Sequence, residues 1–394
     1  MKKFVIKALI FSCPILIYFG YNAYTILVLP LDAYTFRVWE AVKVYEKTAV
    51  LSGPFYPNVH IEKKELGDLP GRDKYLLYKD VVWFTDKYGF RKNETNKKKH
   101  EVVIIGDSLT VGSGLTQSDM LSEKLEKALG VSVYPFAPYT DMNRFLEEKR
   151  FNENPPDLII IEAAEKLVLS LPEIIPDDQK VKKEEPIWTV LYKKLNLSDP
   201  LLGKIAILED RLKKKAFVNY LSARLSEFPN KIITNFFGKI QINKSDKDIA
   251  VIKQPIVARP DLNGGNKLGM VFYPYPEDYF LDWKEHEVVR TAKTLKAYQK
   301  ILAQRGTKLI FMPVPNKENI YWNLIKDGKK MNNLKRLIQT ARNEGVLTID
   351  LTDNYDSLYK NETNKLLYHL DDSHWTPYAV DVAIEELLPE IKKL

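Results

Sequence analysis

Apolar and polar positions fall into two alternating rhythms along most of this chain. Val102–Ile105 is a run of four β-favouring apolar residues. Val131 to Phe136, Leu158 to Ile161, Lys308 to Val314 and Val346 to Leu351 make four more such runs. Short, almost wholly apolar runs predict strands buried on both faces, the condition of a parallel sheet. Between them the spacing changes to three and four. Leu121, Leu125, Ala128 and Leu129 share one face of a helix predicted over 117–129. Val289, Ala292, Leu295, Tyr298 and Leu302 share one face of another over 286–305. Further helices are predicted over 140–151, 332–344 and 377–392. Strands alternating with helices and joined by right-handed crossovers predict an α/β fold. It is a three-layer α/β/α sandwich on a mainly parallel sheet, with the strand ends along one edge.

The same pattern divides the chain. The α/β rhythm occupies 100–392 and is interrupted over 172–283, where Lys-rich amphipathic stretches near 203–228 precede a part broken by Pro260, Gly264, Gly265, Pro274 and Pro276. This segment reads as an insertion or small subdomain, a lid or an acceptor-binding region. Residues 32–99 form an irregular N-terminal extension and linker. Within it, the aromatic alternation of Val82 to Arg91, punctuated by Gly89, predicts a hairpin packed on the main domain. Residues 1–31 read as a membrane anchor. Lys2, Lys3 and Lys7 precede an uncharged stretch from Ala8 to Leu31, longer as a helix than a hydrocarbon core of about 30 Å. Tyr18, Tyr21 and Tyr24 suit an interface, and the leading lysines place the remainder of the chain outside the cytoplasm. The alternative is a cleavable signal peptide, which has a shorter apolar core.

Composition narrows the classes. Cys13 is the only cysteine, so neither a disulfide framework within the chain nor a Cys-based metal site is available. Ser12 before it suits a lipidation site, whereas Phe11 and the continuing apolar run do not. A net charge of +7 comes with short lysine runs and without helix-turn-helix, RNP-like or zinc patterns, which argues against nucleic acid. No phosphate loop and no His/carboxylate set at ligand spacing is visible, so no cofactor and no metal is expected.

The chemistry concentrates at two places. Gly106-Asp107-Ser108 follows the first buried run and puts a hydroxyl at the carboxyl edge of the sheet, where such folds bind ligands. Ser108 there is either a helix N-cap or a nucleophile, and a nucleophile needs a base and an orienting acid. Of the five histidines, His60, His100, His286, His369 and His374, only His374 stands beside acids on a loop before a helix, with His369 as fallback. Either Asp371 or Asp372 could orient it. Glu162 and Glu165 could form a glycosidase pair, but Lys166 beside them favours structural ion pairing.

Gly106-Asp107-Ser108 and Asp371-Asp372-Ser373-His374 together resemble the first and last blocks of the SGNH (GDSL-type) hydrolase superfamily. Asp371 has the acid-to-histidine spacing of its esterases. Asp372 has the Asp-x-His-Trp spacing of the alginate O-acetyltransferase-like branch. Phe84 to Arg91 resembles an "F-x-T-D-x-x-G-F-R" element found ahead of the Gly-Asp-Ser strand in envelope-associated members. Glu162 to Lys166 is similar to that branch's "E-x-x-E-R", and Met312 to Tyr321 to its "v-P-x-P-x-K-x-x-x-Y". In that branch the Asp/His element precedes the serine; here it comes after. The superfamily's oxyanion glycine and asparagine have no counterparts after the second and third strands. Leu109, Ala137, Tyr139, Thr140 and Glu162 are the candidates for oxyanion or acceptor contacts. The resemblance implies a membrane-anchored, extracytoplasmic serine O-acyltransferase (an O-acetyltransferase) that modifies an envelope or exported polysaccharide through an acyl-serine. A membrane acyl-transfer protein would be its donor partner. The alternatives are an SGNH carbohydrate esterase or deacetylase, and a catalytically degenerate polysaccharide-binding module.

Overall fold

The computed structural model describes residues 6–7, 10–18, 20, 37–45, 47–48, 50–69, 77–93, 97–176, 199–213, 270–273, 276–325, 327–361 and 365–394. Its centre is a four-stranded parallel sheet of β3 (Val102–Ile105), β4 (Val133–Phe136), β5 (Leu158–Ala164) and β6 (Lys308–Val314), in the order β4-β3-β5-β6. The chain leaves β3 for β4 on one side and returns past it to β5 and β6 on the other. The carboxyl ends of β3 and β5 therefore flank a topological switch point, where an open α/β sheet leaves a crevice. The fifth apolar run adds only an isolated parallel bridge, Thr348 against Phe311, at the β6 edge.

Alternation along the strands sends their side chains into two cores. Val102, Ile104, Val133, Leu158, Ile160, Ile310 and Met312 face one side. There they meet α3 (Leu121–Leu129) and α11 (Pro377–Lys392). Val103, Ile105, Tyr134, Phe136, Ile159, Ile161 and Phe311 face the other. That side is covered by α4 (Met142–Glu147), α7 (Glu285–Ala303) and α9 (Asn333–Asn343). On α7 the buried face begins at Val288, one position before the expected Val289. The result is the three-layer α/β/α arrangement.

The extension is more ordered than its irregular pattern predicts. α1 (Val38–Val42) precedes an antiparallel pair, β1 (His60–Glu65) with β2 (Lys79–Phe84). β2 thus pairs backward with β1, rather than forward across Gly89 as the hairpin reading had it. The reason lies in the turn immediately after β2. Asp86 accepts from the N–H groups of Tyr88 and Phe90 and from the Tyr134 hydroxyl, at 3.0, 2.9 and 2.6 Å, which turns the chain down onto β4. Arg91 is then buried against the Trp83 ring. It donates to the carbonyls of Val82, Val111, Gly112 and Leu115 at 2.6–3.1 Å. The conspicuous F-x-T-D-x-x-G-F-R residues thus join the extension to the loop after β3.

Within the 172–283 segment, α6 (Asp199–Lys213) packs on the extension. Asp210 accepts from Tyr45 N–H and from the Tyr56 hydroxyl. Residues 177–198 and 214–269, most of the expected insertion, lie outside the described residues. So does most of the expected span from Ala8 to Leu31. Among the described residues no helix is long and apolar enough to cross a membrane.

Truncating Arg91 to alanine would withdraw the guanidinium from four backbone carbonyls, of which that of Gly112 keeps a second donor in Leu115 N–H, and open a gap beside Trp83. Each unsatisfied buried group costs about 1–3 kcal/mol. Arg91→Ala is expected to lower unfolding free energy by about 3 kcal/mol in urea denaturation. Wild-type stability would contradict this account of how the extension is attached.

Candidate active site

The turn after β3 is built to expose a serine. Gly106 leaves no room for a side chain: a Cβ there would lie 2.1 Å from Thr110 Oγ1 and 2.6 Å from Glu162 Oε2. Asp107 caps the short helix α2 (Ser108–Val111), its Oδ1 accepting from Leu109 N–H at 2.8 Å and its Oδ2 from Ala164 N–H at 2.8 Å. Glu162, fully buried at the end of β5, accepts from Asp107 N–H, Thr110 N–H and the Thr110 hydroxyl at 3.2, 3.2 and 2.8 Å. Burial, then Asp107, pushes the Glu162 carboxyl well above the usual range. β5 therefore holds the turn from beneath while Ser108 stays half-buried at its top.

The distant acid/histidine loop arrives at the same edge. Thr376 caps α11, with Pro377 at its first position. His374 Nε2 lies 2.8 Å from Ser108 Oγ, and His374 Nδ1 lies 2.6 Å from Asp372 Oδ1. His374 Nδ1 carries the ring proton and donates it to the Asp372 carboxylate, so Nε2 is the lone-pair nitrogen facing the hydroxyl. Burial works against the Asp372 anion, but His374 and Lys79 outweigh it and hold the carboxyl well below its ordinary range.

Asp371, the other candidate acid, points elsewhere. Its carboxylate accepts from Gly67 N–H, Leu77 N–H and Lys79 Nζ at 2.9, 3.1 and 2.9 Å, tying the β1–β2 connection to the loop. His369 makes no contact with Ser108. Burial, with Lys79 nearby, draws its imidazole down to about 3.

The loop is held by Lys317, on α8 (Lys317–Ile320) directly after β6. Its buried ammonium donates to the carbonyls of His369, Val271, Asp372 and Leu370, at 2.6, 2.7, 2.9 and 3.2 Å. Tyr321, four residues on, accepts from Leu367 N–H at 3.0 Å. Glu165 accepts from Asn316 N–H and Asn319 Nδ2, both at about 3 Å. Burial raises its carboxyl to about 7. The second and third motifs are thus two halves of one brace beneath the site.

The remaining expectations divide. Glu162 lies under the turn and supports it, so neither an acceptor contact nor a glycosidase pairing with Glu165 matches its position. Neither Glu162 nor Glu165 pairs with Lys166. Leu109 lines the crevice, yet its N–H already serves Asp107, so it is not a free oxyanion donor. Ala137 is buried in the core of the extension. Tyr139 packs on Phe90 and Phe136 and accepts from Lys47. Neither residue lines the crevice at Ser108, and nor does Thr140. The lining comes from Ala164, Lys166, Tyr279, Asn316 and Tyr368 beside Ser108 and His374. Sequence reasoning passed over Tyr279 and Asn316. Asn316, in the Pro-Asn-Lys phrase, was within its reach.

Residues 274–394 match the family model described as the SGNH hydrolase-like domain of the acetyltransferase AlgX. The match contains Asp372, His374, Lys317 and Tyr321 but does not reach Ser108. Together with the serine geometry it shows the SGNH resemblance. Among solved structures, an acetyl xylan esterase (Est2A) from the rumen bacterium Butyrivibrio proteoclasticus is similar at 13% identity and a TM-score of 0.31, over 81% of this chain and 68% of that one. That likeness is too remote to argue from. No curated protein matches.

Replacing Lys317 with methionine keeps the bulk and removes the ammonium that donates to the loop carbonyls. Buried carbonyls would lose their partner, at a cost of about 2–4 kcal/mol. Lys317→Met is expected to melt well below wild type. A variant of unchanged stability would contradict the bracing role.

Proposed function

We propose that this SGNH-like chain is a serine O-acetyltransferase, working on a sugar polymer through an acyl-Ser108 intermediate. The observation that carries this is the Ser108–His374–Asp372 array, with contacts of 2.8 and 2.6 Å, at the switch-point crevice. Ser108 Oγ attacks an acyl carbonyl as His374 Nε2 takes the hydroxyl proton. Asp372 holds the ring through Nδ1–H and stabilises the imidazolium. His374 returns the proton to the departing donor group, leaving the acyl ester on Ser108. An incoming sugar hydroxyl then gives its proton to His374 and takes the acyl group, freeing the serine.

Transfer to sugar, rather than to water, is supported by the acetyltransferase for which the matched family model is described. The lysine-flanked apolar segment at the amino terminus adds to it. As a signal anchor it would hold the site outside the cytoplasm, beside exported polysaccharide and a membrane acyl donor. Hydrolysis uses the same first half-reaction and differs only in what resolves the acyl-enzyme.

Ser108→Ala and His374→Ala are each expected to lower turnover of p-nitrophenyl acetate by roughly ten-thousand-fold. The double variant should be little worse than either, because the two groups act as a unit. Full activity in folded Ser108→Ala would overturn the serine mechanism. Asp372→Asn should lose nearly as much activity, whereas Asp371→Asn should chiefly lose stability. Supplying envelope-type oligosaccharides with an activated acetyl donor should give acetylated sugar by mass spectrometry. Acetate alone would make the chain an esterase, and neither product would make it a binding module.

Topology is tested separately. Protease added outside spheroplasts should digest the domain beyond Leu31, and protection until lysis would refute the anchor reading.

A further inference from the structure

The extension ahead of the sheet delivers a second carboxylate to the site. Between β1 and β2 the chain passes through Gly67-Asp68-Leu69, and both flanks of Asp68 are fastened to the active-site loop. Gly67 N–H donates to Asp371 Oδ2 at 2.9 Å, and Leu69 N–H donates to the Asp371 carbonyl at 3.0 Å. A Cβ at Gly67 would sit 2.0 Å from that carbonyl, so only glycine admits so close a passage. Asp68 is left little freedom. Its Oδ1 lies 2.7 Å from Ser373 N, and its Oδ2 lies 2.6 Å from the Ser373 hydroxyl and 3.6 Å from His374 Nδ1.

We propose that Asp68 is a positioning residue acting through His374. It fixes Ser373 and with it the ring, and its charge stabilises the imidazolium formed when His374 takes the Ser108 proton. The inference rests on the serine mechanism proposed for Ser108 and adds to it a member from outside the α/β sheet. Asp372 is the direct hydrogen-bond acceptor of the ring; Asp68 is the further anion on the same nitrogen's side.

The surrounding charges support the role. Arg37, just ahead of α1, places Nη1 3.9 Å from Asp68 Oδ2. Lys79 on β2 faces Asp371 and Asp372 at 2.9 and 3.6 Å. Lys317 lies beneath the loop, and His369 adjoins it. Burial and then the neighbouring Asp372 leave the Asp68 carboxyl raised, against the opposing pull of His374 and Arg37. That pull is reciprocal: a cation on His374 that favours the Asp68 anion is equally favoured by it. At such a separation an opposite charge has a large effect on ring protonation.

Asparagine at 68 keeps an oxygen to accept from Ser373 but removes the charge. The imidazolium then loses an anion and releases its proton at lower pH. The acidic limb of kcat/KM against pH should move down by about one pH unit, with the plateau rate reduced about tenfold. Asp68→Ala, which also drops the tie to Ser373, should show the same limb and a larger rate loss. Asp68→Glu keeps the charge and should keep the limb near its wild-type position. The experiment is the pH dependence of p-nitrophenyl acetate turnover by the full chain and these variants, each checked for native circular dichroism, with Ser108→Ala as reference. Ser108-dependent turnover whose limb stays put in Asp68→Asn overturns this inference and leaves the serine mechanism standing. A limb displaced equally in Asp68→Glu also overturns it. Absence of any Ser108-dependent turnover overturns both.

Discussion

Backbone groups in the loops at the sheet edge are buried without a ladder or helix to satisfy them, and ionisable side chains answer that need. Lys317 donates to four carbonyls around the His374 loop. Arg91 does the same around the loop after α2. Glu162 accepts from the turn that presents Ser108, and Asp371 accepts from the segment that carries Asp68. An unpartnered buried peptide group is costly, and a hydrogen bond from an ionised group is among the stronger remedies. This explains why Lys317 and Arg91 direct their hydrogen bonds to backbone carbonyls rather than to carboxylates. Their task is to hold irregular backbone in place.

That task divides two adjacent acids. Asp371 sits in a turn with its carboxylate engaged by Gly67, Leu77 and Lys79, so Asp372 alone of the two reaches the His374 ring. Asp372 turns to the ring and Asp371 turns to Gly67 and Lys79. The acid turned away from the ring brings the extension into the site, and Asp68 arrives with it. The turn and the loop at the edge of the α/β domain therefore supply Ser108 and His374, while the immediate surroundings of the histidine are completed by a segment far away in sequence.

Much of this was legible from residues alone. The apolar runs that became β3 to β6, and the helical faces of α3, α7, α9 and α11, depend on periodicity within one element. Ser108 and His374 were legible because each stands in a compact local phrase. What stayed hidden depends on contacts between elements. The choice between Asp371 and Asp372 turns on side-chain direction at one peptide. Asp68 sits in a stretch with no rhythm, where neither neighbour hints at chemistry. β1 carries His60-Ile61-Glu62-Lys63-Lys64-Glu65, too polar to announce a strand, and it forms because β2 offers an edge. Leu109 was a reasonable oxyanion donor until Asp107, two residues earlier, proved to cap it.

The central claim is that Ser108 is made nucleophilic by His374 across 266 residues of chain. Covalent labelling tests it without knowledge of the natural substrate. The full chain treated with a fluorophosphonate, digested and analysed by mass spectrometry should carry the phosphonyl group on the peptide containing Ser108. Folded His374→Ala should remain unlabelled under the same conditions. Modification of a different serine, or equal labelling of Ser108 without His374, would contradict the account.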